Sequence, residues 1–144
     1  MKKDAFHFPG ISIIVPKQLA YEGDIIAINR GIPRPGDIPR KTDKFTLVRL
    51  IANVCLYDVK DIQLSYPIEA FNPPIEIKVG YNFTDTSECK NDPKRLKLAY
   101  WDGNDWIIIS DAKHEYQILP PSTAQIAEVK IKKWAGDPPI GWGR

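Results

Sequence analysis

Histidine, cysteine and methionine are scarce in this chain: its 144 residues hold two, two and one of them. Cys55 and Cys89 are too few for a disulfide scaffold, and their spacing fits no metal motif. Cys55 lies in an apolar run and reads as a buried small hydrophobe, while Cys89 lies in a polar stretch and reads as exposed. Whether the two pair is open. His7 and His114 have no nucleophile beside them in sequence and read as solvated or hydrogen-bonded side chains. No His-Glu-x-x-His or Cys-x-x-Cys occurs, and no Gly-rich phosphate loop opens a helix. Twenty basic residues face eighteen acidic ones, leaving a formal net charge of +2. That is too balanced to imply nucleic acid or an anionic membrane, which need a dense basic face, so neither is expected as a partner. No apolar run approaches the roughly 20 residues that span a bilayer. Lys2 and Lys3 are not followed by an apolar leader, because Asp4, His7, Pro9 and Gly10 interrupt it. The default expectation is a cytoplasmic protein, with a mature form whose leader has been cut off as the other reading.

What the chain does have is period-two alternation. Ile75, Ile77, Val79, Tyr81 and Phe83 alternate with Glu76, Lys78, Gly80 and Asn82, giving one apolar and one wet face. Leu96, Leu98 and Tyr100 repeat the pattern, as do Ala127, Val129 and Ile131. Ile11, Ile13 and Val15 predict a short strand stopped by Pro16, and 25–28 predicts another. Residues 95–101 and 106–110 read as a hairpin around Asp102-Gly103-Asn104, since Asp-Gly supplies the positive φ of a tight loop. Phe45 to Tyr57 reads as a strand, with a helix capped by Asp43 as the other reading. The thirteen prolines punctuate loops such as Gly31 to Pro39.

These signals predict an all-β chain, an antiparallel β-sandwich of about seven to nine strands, with a β-barrel as the alternative. Residues 1–134 form the expected single domain. Residues 135–144 form a Pro/Gly/Trp tail whose prolines and glycines argue against helix and strand, and which is expected to pack back on the domain.

The order of three motifs resembles the ZU5-type β-sandwich and its looser bacterial relatives. The first is Gly10-Ile-Ser-Ile-Ile-Val-Pro16. The second is Phe71-Asn72-Pro73-Pro74-Ile75-Glu76-Ile77. The third is Trp101-Asp102-Gly103-Asn104-Asp105-Trp106. The His-Phe-Ser triplet at which some such domains cleave themselves does not occur, and Trp134 to Arg144 has no counterpart. The resemblance implies a sandwich fold and a scaffolding or interaction role, with no catalytic residue.

Two groups of carboxylates, Asp85, Glu88 and Asp92, then Asp102 and Asp105, supply oxygens of the kind calcium uses. The EF-hand pattern is absent, and Asp in turns serves the backbone, so no metal or other cofactor is expected. By alternation Trp101 points away from Leu98 and Tyr100 and toward solvent. The candidate partner-contact residues are Trp101, Trp106, Trp134, Ile140 and Trp142, because large aromatic faces make dry contacts. The expected function is a non-catalytic protein-interaction or scaffolding module that binds a protein partner or itself. The alternative is a carbohydrate-binding module that takes a glycan on exposed tryptophans.

Overall fold

The computed structural model describes residues 4–16, 25–29, 31, 37–58, 67–87, 95–109, 117–119, 126–134 and 139–144. Expectations that fall on Cys89, His114, Glu88 and Asp92 lie outside the described residues. The strongest alternating segment is a strand, and its partners follow from its apolar face. β5 (Ala70–Gly80) buries Ile75, Ile77 and Val79 while Glu76 and Lys78 stay half-exposed. It pairs antiparallel with β2 (Ile11–Val15) on one side and β9 (Ile126–Lys133) on the other. β1 (Asp4–Phe8) joins β2 through the Pro9-Gly10 turn, where Gly10 takes φ 81°. Proline first and a positive-φ glycine second is what a tight turn demands. β8 (Gln117–Leu119) pairs with β9 and ends this sheet, whose order is β1-β2-β5-β9-β8.

The second sheet is ordered β3-β4-β10-β6-β7. It comprises β3 (Ile25–Asn29), β4 (Leu47–Asp58), β6 (Lys97–Trp101), β7 (Trp106–Ile108) and β10 (Pro139–Gly143). β4 settles the strand-or-helix choice for 45–57 in favour of strand. The β6–β7 hairpin turns at Gly103, φ 102°, as the Asp-Gly signal requires. Both sheets are antiparallel and stack face to face, so the architecture is a β-sandwich.

One core fills the space between the sheets. Ile11, Ile13, Ile75, Ile77, Val129 and Ile131 come from the first sheet; Val54, Leu56, Leu98, Ile140 and Trp142 come from the second. Burying each such side chain stabilises the fold by about 1.5–3 kcal/mol before entropy is counted. A smaller cluster covers the outer face of the second sheet, built from Ile38, Phe45, Leu47, Ala99 and Trp106.

Two expectations are corrected. The prolines and glycines of 135–144 do not bar a strand: Pro139–Gly143 forms β10, buried on both faces between β4 and β6. Pro139 is its first residue, where the missing N–H is tolerated. Gly141 and Gly143 leave the room in which Leu47 and Phe45 lie against the strand's backbone. The alternating strand also stops early. Gly80 ends β5, and Phe83 opens a one-turn helix, α1 (Phe83–Ser87). Asn82 Oδ1 accepts from the Asp85 amide at 2.9 Å, and Asp85 Oδ2 accepts from the Asn82 amide at 2.9 Å. That reciprocal capping box satisfies two backbone donors at the helix start and outcompetes a continued strand.

Candidate functional site

Arg49 is the only charge in the apolar stretch from Leu47 to Tyr57, and a charge in such a strand needs a partner. Asp85, almost fully buried on α1, supplies it. Arg49 Nε donates to Asp85 Oδ1 at 2.9 Å and Nη2 donates to Oδ2 at 2.7 Å, a bidentate pair. Nη2 also reaches the Gly80 carbonyl at 3.5 Å. Burial pushes the Asp85 carboxyl up, but the Arg49 hydrogen bonds, the Asn82 amide and the Arg49 charge together hold it below the usual carboxylate range. The Asp85 hydrogen bond raises the Arg49 guanidinium above its ordinary value, against its partial burial.

This pair forms one wall of a cleft of about 390 Å³ lined by Arg40, Thr46, Leu47, Val48, Arg49, Asn82, Asp85 and Arg144. Backbone pairing fixes its rim. Thr46 and Arg144 exchange hydrogen bonds at 2.8 and 2.9 Å, and the Leu47 amide donates to the Arg40 carbonyl at 2.7 Å. Arg40, Arg49 and Arg144 all line this opening, and its one lining carboxylate side chain, Asp85, already accepts three hydrogen bonds. The Nη1 donors of Arg49 make no hydrogen bond among the described residues, and Arg49 remains 37% exposed. The arrangement suits a planar anion, because guanidinium forks match carboxylate geometry.

The structure puts the tryptophans elsewhere. Trp106, Trp134 and Trp142 are buried, and each indole N–H donates to a backbone carbonyl: Pro39, Ile68 and Gly80 respectively. Ile140 is fully buried between the sheets. Trp101 faces outward, as alternation requires, but it sits half-buried across the hairpin from Trp106, with ring centroids 5.7 Å apart. These side chains pack the two hydrophobic clusters, and they do not converge on the cleft.

A comparison with family models, curated proteins and solved structures finds no significant match to this chain. Its own geometry carries the functional reading.

The remaining candidates have local roles. His7 Nδ1 lies 3.0 Å from the Ser12 hydroxyl, its cross-strand partner. The Asp102 carboxylate accepts from the Asn104 and Asp105 amides at 2.7 Å each, and Asp105 accepts from the Trp106 amide at 2.8 Å. Both acids shape the hairpin turn. Among the described residues, no group of three or more His, Cys, Asp or Glu comes together for a metal ion. No helix among them is long and apolar enough to cross a membrane. Sequence reasoning missed Arg40, Arg49 and Arg144. The lone charge at Arg49 and the Asn82-x-x-Asp85 spacing were the available signals.

Proposed function

We propose that the chain is a non-catalytic protein-interaction module that takes a carboxylate-rich segment of a partner protein in the Arg40–Arg49–Arg144 cleft. The observation that supports this is a cleft lined by Arg40, Arg49 and Arg144 whose one lining carboxylate side chain, Asp85, already accepts three hydrogen bonds from its own neighbours. A ligand carboxylate entering there meets donors without displacing the internal pair. The chain's small net charge supplies little overall pull on a polyanion, which favours a short acidic segment over a nucleic-acid backbone. The ZU5-like order of motifs agrees with an interaction role and forms part of this proposal.

The test is fluorescence anisotropy of a labelled oligoglutamate peptide titrated with the protein. Saturable binding is expected. Arg40→Glu should weaken it by about tenfold or more, and added salt should weaken it further. Absence of binding at low salt, or equal binding by Arg40→Glu, would overturn the proposal. Arg40 is an exposed side chain outside the core, so the variant keeps its fold.

A further inference from the structure

The charges of the second sheet are sorted by end, and strand register says which end is which. Lys97 starts β6 opposite Gly143, and Trp101 ends it opposite Trp106. The arginine cleft lies at the Lys97 end, where Thr46 exchanges hydrogen bonds with Arg144 and faces Lys41 across an isolated β-bridge. Arg40, Lys41, Lys44 and Arg144 are exposed there, and Arg49 and Lys97 are half-buried. Against these six cations stand Asp43, on the turn between Lys41 and Thr46, and Asp85, which Arg49 already holds.

The other end of the same sheet carries the β6–β7 hairpin. Its four tip residues, Asp102-Gly103-Asn104-Asp105, are all exposed. The Asp102 amide donates to the Asp105 carbonyl at 3.1 Å, so the two carboxylates flank one tight turn. Gly103 adds no side chain at the apex, which keeps the tip narrow. Asp102 accepts two backbone hydrogen bonds within the turn and Asp105 accepts one. An ionised carboxylate has about four lone-pair sites, so both retain acceptor capacity for an incoming donor.

We infer, resting on the carboxylate-binding reading of the cleft, that the segment it takes is the Asp102–Asp105 tip of a second copy of this chain, so that copies associate head to tail along the strands. Within one copy the two ends are separated by the length of β6, about 17 Å for five residues at about 3.4 Å each. The hairpin therefore cannot fill its own cleft. The separation also exceeds the screening length of about 8 Å at physiological salt, so the two ends do not neutralise each other. A shift of one copy along the strands sets acidic tip against basic cleft, whereas cleft against cleft, or tip against tip, brings like charges together. Opposite sign at opposite ends of one sheet thus selects a second copy in one orientation. The contact is heterologous: each added copy presents a new tip and a new cleft, and assembly continues past the dimer.

Sedimentation velocity on the full chain at low ionic strength, from micromolar to near-millimolar concentration, tests this. The average mass should rise from 16.4 kDa past twice that value, and fall back as salt is added. The double variant Asp102→Asn/Asp105→Asn keeps the side-chain acceptors of the turn and removes both charges. It should weaken association by about tenfold or more, and Arg40→Glu should do the same from the cleft side. A mixture of the two variants restores one intact tip and one intact cleft, so it should form pairs that grow no further. A wild-type mass that stays at the monomer value throughout overturns the inference. So does either variant assembling as tightly as wild type, or a mixture that remains monomeric. Labelled oligoglutamate separates this inference from the reading beneath it. Saturable peptide binding by a chain that stays monomeric removes the second copy as occupant and leaves the cleft intact; loss of both removes the cleft as well.

Discussion

Arg49 and Asp85 stand 36 residues apart and join the two sheets. Arg49 rises from β4 of the second sheet, while Asp85 sits on the helix that follows β5 of the first. Their bidentate contact, 2.7 and 2.9 Å, lies beside the Trp142 indole, which donates to Gly80 at 2.8 Å. One end of the sandwich is thus pinned by a charge pair and an indole hydrogen bond that converge on the same turn. The wall of the arginine cleft is also a structural staple.

Asp85→Asn should destabilise the fold by about 2–3 kcal/mol. Loss of one partner of a buried pair costs about 3–5 kcal/mol, and the partial exposure of Arg49 reduces that. The pH dependence has a fixed sign. The folded carboxyl lies below its unfolded value of about 3.9, so the unfolded state binds more protons in the window between the two. The stabilisation is fully present above the unfolded value and disappears as pH falls through the folded one. Urea unfolding of both proteins should show a gap at neutral pH that narrows once pH drops below about 4. A gap independent of pH would mean that packing, not charge, links the two residues.

Gly143→Ala and Gly80→Ala should behave oppositely although both glycines lie at strand ends. A Cβ at Gly143 would enter the Phe45 ring and press on the Thr46 carbonyl, whereas one at Gly80 meets nothing within 4 Å. Overpacking at Gly143 should cost about 2–3 kcal/mol. The Gly80 change should stay within about 0.5 kcal/mol. Chemical denaturation midpoints of the two variants check this directly.

The sandwich was legible where a strand packs one face on the core. Ile75, Ile77 and Val79 alternate with Glu76 and Lys78 because burial alternates there. β10 was not legible, because Gly141 and Gly143 bring no side chains of their own; Leu47 and Phe45, far earlier in the chain, cover that backbone. The tryptophans were conspicuous by residue type, yet burial with a satisfied N–H is as natural for indole as exposure. Asp85 was visible only as one of several loop acids. Its significance depends on Arg49, and pairing across the sandwich has no local signature.

Truncation after residue 138 should abolish cooperative unfolding. It removes a central strand, exposes the facing edges of β4 and β6, and takes Ile140 and Trp142 from the core. Far-UV circular dichroism and a thermal scan of the shortened chain read the outcome. A shortened chain that melts as sharply as the full one would show that β10 is an accessory strand.

Trp106 and Trp101 separate packing from recognition. Trp106 is buried, packs on Phe45 at a centroid distance of 5.0 Å and donates to Pro39. Its replacement by alanine should cost about 3–5 kcal/mol. Trp101 is only half-buried and packs on the rings of the outer cluster, so Trp101→Ala should cost about 1–2 kcal/mol. A glycan platform would need Trp101 to present an open face, but its edge-on contact with Trp106 commits part of that ring. Intrinsic fluorescence titrated with soluble polysaccharides should therefore stay flat in wild type and in Trp101→Ala. A saturable shift lost in Trp101→Ala, with stability preserved, would instead make the outer cluster a sugar-binding surface and move the site away from the arginine cleft.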